Sequence, residues 1–217
     1  LPDEVKDGVS EFKRWKESEQ WFKSRRVPWR RGWLLHGPPG TGKTSLVRAL
    51  AQMEDMPIWS FDLASLSNEE MVEKWRDMQE SVPCVALFED IDAVFDKRTN
   101  VHDSKGGGLT FDCFLNCLSG IESADGVFVI VTTNHIEKID PALGLSENGI
   151  STRPGRLDRV ILMPTLDDVC RERIAHRILV DCPSLIPGLV QESAGYTGAQ
   201  ATELFVKHAQ AHFWSHQ

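Results

Sequence analysis

No apolar stretch in this 217-residue sequence approaches the roughly 18 residues that a membrane-spanning helix needs, and no signal-peptide pattern opens it. No membrane span is therefore expected. Paired cysteine spacing is also missing: Cys84, Cys113, Cys117, Cys170 and Cys182 are five in number and form no C-x-x-C. Reduced thiols in the cytoplasm or another reducing compartment follow. Cys113 and Cys117 stand one helical turn apart, but Phe114, Leu115 and Leu118 beside them read as a packed helix face rather than half of a metal site. Excess basic charge is lacking too, since the formal net charge is −8, which argues against a protein that coats nucleic acid. There is no internal repeat and no low-complexity tract. Gly106-Gly107-Gly108 is the one strongly flexible spot of the main domain. The chain opens on Leu1 rather than Met, which reads as a domain excised from a longer protein.

What is present fits one α/β domain with a small appendage, since 41% apolar and 26% charged residues are ordinary for a globular protein. Residues 3–26 are predicted as one helix, with Val5, Val9, Phe12, Trp15 and Phe22 near a 3.6-residue period, ended by Pro28. Four short apolar runs follow, Trp33–His36, Ile58–Asp62, Val85–Glu89 and Val127–Thr132, each separated by a helix-like segment. That alternation predicts an α/β fold with a parallel sheet covered by helices on both faces. After Pro164 only helices are expected, at Asp167–Val180, Ile186–Ala194 and Gly198–Trp214, so the sequence divides into an α/β domain over 1–164 and a small helical subdomain over 165–217. Lys23, Arg25, Arg26, Arg30 and Arg31 lie among Trp21, Phe22 and Trp29. They suit either a cation-rich helix end running into a buried strand or, less readily, a surface for nucleic acid or membrane.

The chemistry is carried by strand ends. Gly37-Pro38-Pro39-Gly40-Thr41-Gly42-Lys43-Thr44 is a complete G-x-x-x-x-G-K-[ST] element between a predicted strand and a helix at Ser45–Gln52. Glycines let such a loop fold its N–H groups around phosphates, and a helix N-terminus adds favourable potential for negative charge. Lys43 is expected on the β- and γ-phosphates and Thr44 on Mg²⁺. The third run ends in Glu89-Asp90, two carboxylates that are costly at a buried strand end unless a cation or water uses them. Glu89 is read on the Mg²⁺ side and Asp90 as the group that activates water, with Asp92 either behind them or serving as a helix cap. Asn134, ending a further strand, is expected to orient that water. His208, His212 and His216 follow a metal-compatible spacing, but a solvated terminal helix explains them as well.

Together the GPPGTGKT loop, the FEDIDAVF and VTTNH strand ends and Arg153-Pro154-Gly155-Arg156-Leu157-Asp158 resemble the AAA ATPases, in order and over nearly the whole chain. The resemblance implies ATP hydrolysis to ADP, Mg²⁺ dependence, and a homo-oligomeric ring, hexamer or heptamer. It also implies that Arg153 and Arg156 reach the neighbouring subunit's γ-phosphate. Gly195-Tyr196-Thr197-Gly198-Ala199-Gln200 resembles the family's lid turn, which sets Gly198 and Ala199 beside the nucleotide along with Gly37 to Ser45. Trp29–Gly37, the inverted Glu89-Asp90 order and Leu109–Gly120 are most similar to the mitochondrial clade that translocates the Rieske iron–sulfur protein during complex III assembly. A mitochondrial or membrane-anchored full-length form is compatible with that.

Two departures from the family pattern stand out. Gly144–Thr152 is an extra segment ahead of the arginines, and Phe61–Pro83 is short, without the aromatic-Val-Gly loop of peptide-threading members. Three classes fit: a machine that remodels or translocates a protein partner, a nucleotide-switched scaffold with slow hydrolysis, and a nucleic-acid motor. The acidic total disfavours the last.

Overall fold

The computed structural model describes residues 3–101, 107–119, 125–144 and 156–215. In chain order the elements are α1 (Asp3–Glu17), α2 (Glu19–Ser24), β1 (Arg30–His36), α3 (Lys43–Met53), β2 (Ile58–Phe61), α4 (Asn68–Gln79), β3 (Cys84–Phe88) and α5 (Ile91–Val94). There follow a short antiparallel pair, β4 (Phe95–Asp96) and β5 (Thr99–Asn100), then α6 (Phe111–Ser119), β6 (Val127–Thr133), β7 (Arg159–Leu162), α7 (Asp168–Ile178), α8 (Ile186–Glu192) and α9 (Gly198–Ser215). They form two compact units: Pro2–His36 with Thr44–Leu162, and Gly37–Lys43 with Met163–Gln217.

In the larger unit the alternating apolar runs become a parallel five-stranded sheet of order β2-β3-β6-β1-β7. Every residue of β3 and β6 is buried, as central parallel strands covered on both faces require. On one face Phe88 stacks on Phe61 at 4.8 Å and meets Phe114 edge-on at 5.0 Å. On the other, Phe128 is ringed by Phe12, Trp15 and Trp33 at 4.7, 4.9 and 4.8 Å. Such pairs contribute about 0.5–1.5 kcal/mol each beyond their area burial and fix the sheet between its helices. Register pairs His36 with Thr133 and Phe88 with Val131, so β1, β3 and β6 end along one edge of the sheet. In open α/β sheets that carboxyl edge is where ligands bind.

Two expectations change. The helix predicted over 3–26 breaks at Ser18, where Ser18 N–H bonds Trp15 O in a tightened turn and the Ser18 hydroxyl bonds Arg14 O, before α2 resumes and ends at Ser24, ahead of Pro28. A fifth strand, β7, is present where the sequence offered only a four-residue run, and it pairs with β1 from Trp33 to His36. In the smaller unit α7 begins on Asp167, whose carboxylate accepts from Cys170 N–H at 2.7 Å. Ala175, Leu179, Cys182, Ile186, Leu189, Ala201 and Phe205 make its separate core.

Candidate active site

Gly37–Lys43 links β1 to α3 and is shaped by residues that tolerate what it must do. Gly40 has φ +77°, and a Cβ there would stand 2.8 Å from Thr197 Oγ1. Gly42 has φ +93°, and nothing lies within 4 Å of where its Cβ would be. One glycine permits a close approach, the other leaves room for a ligand at the loop's backbone. Lys43 is 7% exposed, and its ammonium donates to Gly37 O at 2.8 Å and Pro38 O at 3.1 Å. Thr41 Oγ1 donates to Pro38 O at 2.9 Å, so the loop is braced by its own side chains. Pro38, Pro39 and Gly40 form its exposed tip, and Ser45 is exposed on α3. Ala199 N–H donates to Gly40 O at 3.0 Å. The Gly198-Ala199 turn thus lies against the loop, held by Thr197 N–H on Gln200 Oε1 at 2.9 Å. Ala199 N–H acts there as a buttress to the loop.

At the sheet's carboxyl edge, Thr44 donates its hydroxyl to Glu89 Oε1. Asp90, just beyond β3, sits in the left-handed region with φ 48° and ψ 50°, which turns the chain into α5. Asp and Asn are the non-glycine types that enter this region most readily. Asn134 Nδ2 donates to Asp90 Oδ1 at 3.0 Å, and Asp90 N–H donates to Thr132 Oγ1 at 2.9 Å. Asp92 Oδ1 accepts from Thr133 Oγ1 at 2.6 Å and from Asn134 N–H at 3.0 Å. Thr44, Glu89, Asp90 and Asn134 are therefore brought together. Thr132 and Thr133 were legible only as strand residues, and nothing in their spacing announces these partners some forty positions away.

Each set of groups, taken by itself, suits part of what a nucleotide and its metal require. The open side of Gly42, the start of α3 and the braced ammonium of Lys43 suit a polyphosphate. The Thr44 hydroxyl and Glu89 carboxylate are hard oxygen donors of the kind Mg²⁺ takes, usually one or two from protein with phosphate and water completing the shell. Among the described residues no group of three or more His, Cys, Asp or Glu is arranged to hold a metal. His216 lies outside them.

The arginines behave differently. Arg156 Nε donates to Ser119 Oγ at 3.0 Å and its Nη1 to Ala142 O, so this guanidinium is engaged within its own chain. Arg153 lies outside the described residues, as does 145–152 of the extra segment. The cations around α2 and at the start of β1 are partly committed. Lys23 pairs with Glu19, Arg25 covers Trp21 at 4.4 Å, and Arg31 stands 3.9 Å from both Glu11 and Asp158. Beyond β2, the six residues Asp62–Ser67 lead to α4 without an aromatic side chain.

The family described as "ATPase family associated with various cellular activities (AAA)" matches residues 33–165. The "Probable mitochondrial chaperone bcs1" of Schizosaccharomyces pombe is 38% identical over 157 residues, 71% of this chain and 32% of that protein. The human "Mitochondrial chaperone BCS1" is 37% identical over 167 residues, 73% of this chain and 36% of its own length. The "ATP-dependent zinc metalloprotease FtsH 2" of Methylacidiphilum infernorum is 32% identical over 225 residues, which covers 93% of this chain and 32% of that protein. The chain thus spans about a third of the length of the curated relatives it matches. Among the described residues no helix is long and apolar enough to cross a membrane.

Proposed function

The chain belongs to the AAA family of ATPases, a domain that uses ATP and Mg²⁺, and from that premise we propose that it is the ATP-hydrolysing subunit of a ring that remodels or translocates a protein partner. The observation that carries the hydrolytic part is the pairing of Asp90 with Asn134 at 3.0 Å, beside the Thr44–Glu89 contact. Asp90 supplies a carboxylate to take a proton from water, and Asn134 supplies an amide to orient that water. Lys43, at the loop, neutralises phosphate charge. Thr44 and Glu89 would hold Mg²⁺, which would supply charge stabilisation for the phosphate when bound.

The protein-directed part rests on kinship. Two of the matched relatives carry the printed name of mitochondrial chaperone, which favours a protein client and a mitochondrial setting for the full-length protein. For Arg153 and Arg156 the reading is an arginine pair that acts on the neighbouring copy's nucleotide. Within a single chain Arg156 is tied to Ser119 and Ala142.

Mixing tests this. A Lys43→Ala subunit keeps both arginines, and an Arg153→Ala/Arg156→Ala subunit keeps the phosphate loop. Each alone is expected to be nearly inactive, because loss of such a finger costs about 10³–10⁵ in rate. Mixed rings should regain turnover at the hybrid interfaces. Mixed rings that form and stay inactive would refute action in trans.

A further inference from the structure

We propose that Asp92 is a positioning residue for hydrolysis, holding Asn134 in place and through it the side chain of Asp90. This rests on the reading of Asp90 and Asn134 as the pair that handles water. Asp92 lies on α5, is 8% exposed, and has no cation partner among the described residues. A carboxylate so placed is costly unless donors compensate it. The donors are specific. One oxygen, Oδ1, accepts both the Thr133 hydroxyl at 2.6 Å and the Asn134 backbone N–H at 3.0 Å.

The consequence is a closed circuit. Asn134 N–H is fixed to Asp92, Asn134 Nδ2 reaches Asp90 Oδ1 at 3.0 Å, and two peptide links return from Asp90 to Asp92. Thr132 Oγ1 receives Asp90 N–H at 2.9 Å and closes a second connection beside the first. Three successive residues at the end of β6 therefore grip the turn that follows β3. Without the acceptor at 92, Asn134 loses the bond that orients its backbone, and its amide loses its bearing on Asp90.

Because a single oxygen takes both bonds, Asp92→Asn can keep them, whereas Asp92→Ala cannot. Asp92→Ala is expected to lower kcat by about 10²-fold, the scale of an ångström-sized misplacement, with KM for ATP within about threefold. Asp92→Asn should restore most of that rate. Since Asp92 acts through Asn134, adding Asp92→Ala to Asn134→Ala should lower kcat by less than about threefold more. Hydrogen exchange at the Asn134 amide, read without nucleotide, should accelerate in Asp92→Ala and stay slow in Asp92→Asn. If Asp92→Ala does not yield folded protein, Thr133→Val removes one of the two donors and should lower kcat at constant KM. Multiplicative losses in the double variant, or an Asn134 amide that stays protected in Asp92→Ala, would overturn the proposal. If Asn134→Ala alone turns over at the parent rate, the reading of the water-handling pair fails and the catalytic role of Asp92 with it, and the exchange result then still reports the bond by itself.

Discussion

Replacing Asp90 by Asn removes a charge while leaving the local geometry almost intact, which makes it the cleanest probe of the hydrolytic assignment. The backbone at 90 has φ 48°, a value that Asn tolerates as well as Asp does. Its N–H bond to Thr132 Oγ1 is a main-chain bond and survives, and an Asn oxygen at the same place can still accept from Asn134 Nδ2. Stability should therefore change by less than about 0.5 kcal/mol, leaving Tm within about 2 °C. What disappears is the base. Its loss should lower kcat by about 10²–10⁴, or about 2.7–5.4 kcal/mol on the barrier at ~1.36 kcal/mol per factor of ten. Phosphate release at saturating ATP and Mg²⁺ measures the rate, and a fluorescent ATP analogue should bind within about threefold of the parent. Turnover within threefold of the parent would refute the assignment and move the base to another carboxylate.

Other expectations follow from packing and from one shifted thiol. A Cβ at Gly32 would stand 1.8 Å from the Arg156 carbonyl oxygen, so Gly32→Ala must push the Arg156–Asp158 segment off β1. At about 1–3 kcal/mol for such overpacking, Tm should fall by about 2–12 °C in calorimetry, and an unchanged Tm would show that the close approach is absent. Burial pushes the Cys84 thiol up from 9.0 to about 12. The folded state then holds its proton where the unfolded state releases it, so this contribution to stability is complete below pH 9 and declines as pH rises toward 12. Cys84 should resist a thiol reagent at pH 8 in folded protein and react only on unfolding. Rapid modification of Cys84 in the native state would contradict its burial.

The sequence exposes what depends on residue type and hides what depends on distance. The GPPGTGKT loop was readable because only glycines reach φ +77° and +93° without strain at positions 40 and 42, so the motif is a direct imprint of geometry. β1, β3 and β6 were readable because their buried stretches are apolar, and β2 because Ile58, Trp59 and Phe61 are β-branched or aromatic. By contrast β7 opens on Arg159, carries no aromatic residue and buries only Ile161. The break at Ser18 lies within an apolar stripe that continues on either side of it through Trp15 and Phe22, so periodicity passes over it. The Asp92 bonds join residues 41 and 42 positions apart, and only the register of β3 with β6 brings them together. Arg156 illustrates the same limit from the other side. Its motif suggests a group that reaches outward, and packing ties its guanidinium to Ser119 and Ala142.

The most direct test of the central claim, that this loop holds the phosphates of ATP, is equilibrium binding of a fluorescent ATP analogue to Lys43→Ala in the presence of Mg²⁺. Charge-assisted hydrogen bonds contribute about 1.5–3 kcal/mol, so affinity should fall by about 10- to 100-fold and turnover should be lost with it. The fold should persist, because the Gly37 and Pro38 carbonyls that accept from the ammonium belong to the loop itself rather than to a strand or helix. A folded Lys43→Ala variant that binds the analogue within twofold of the parent would contradict the account.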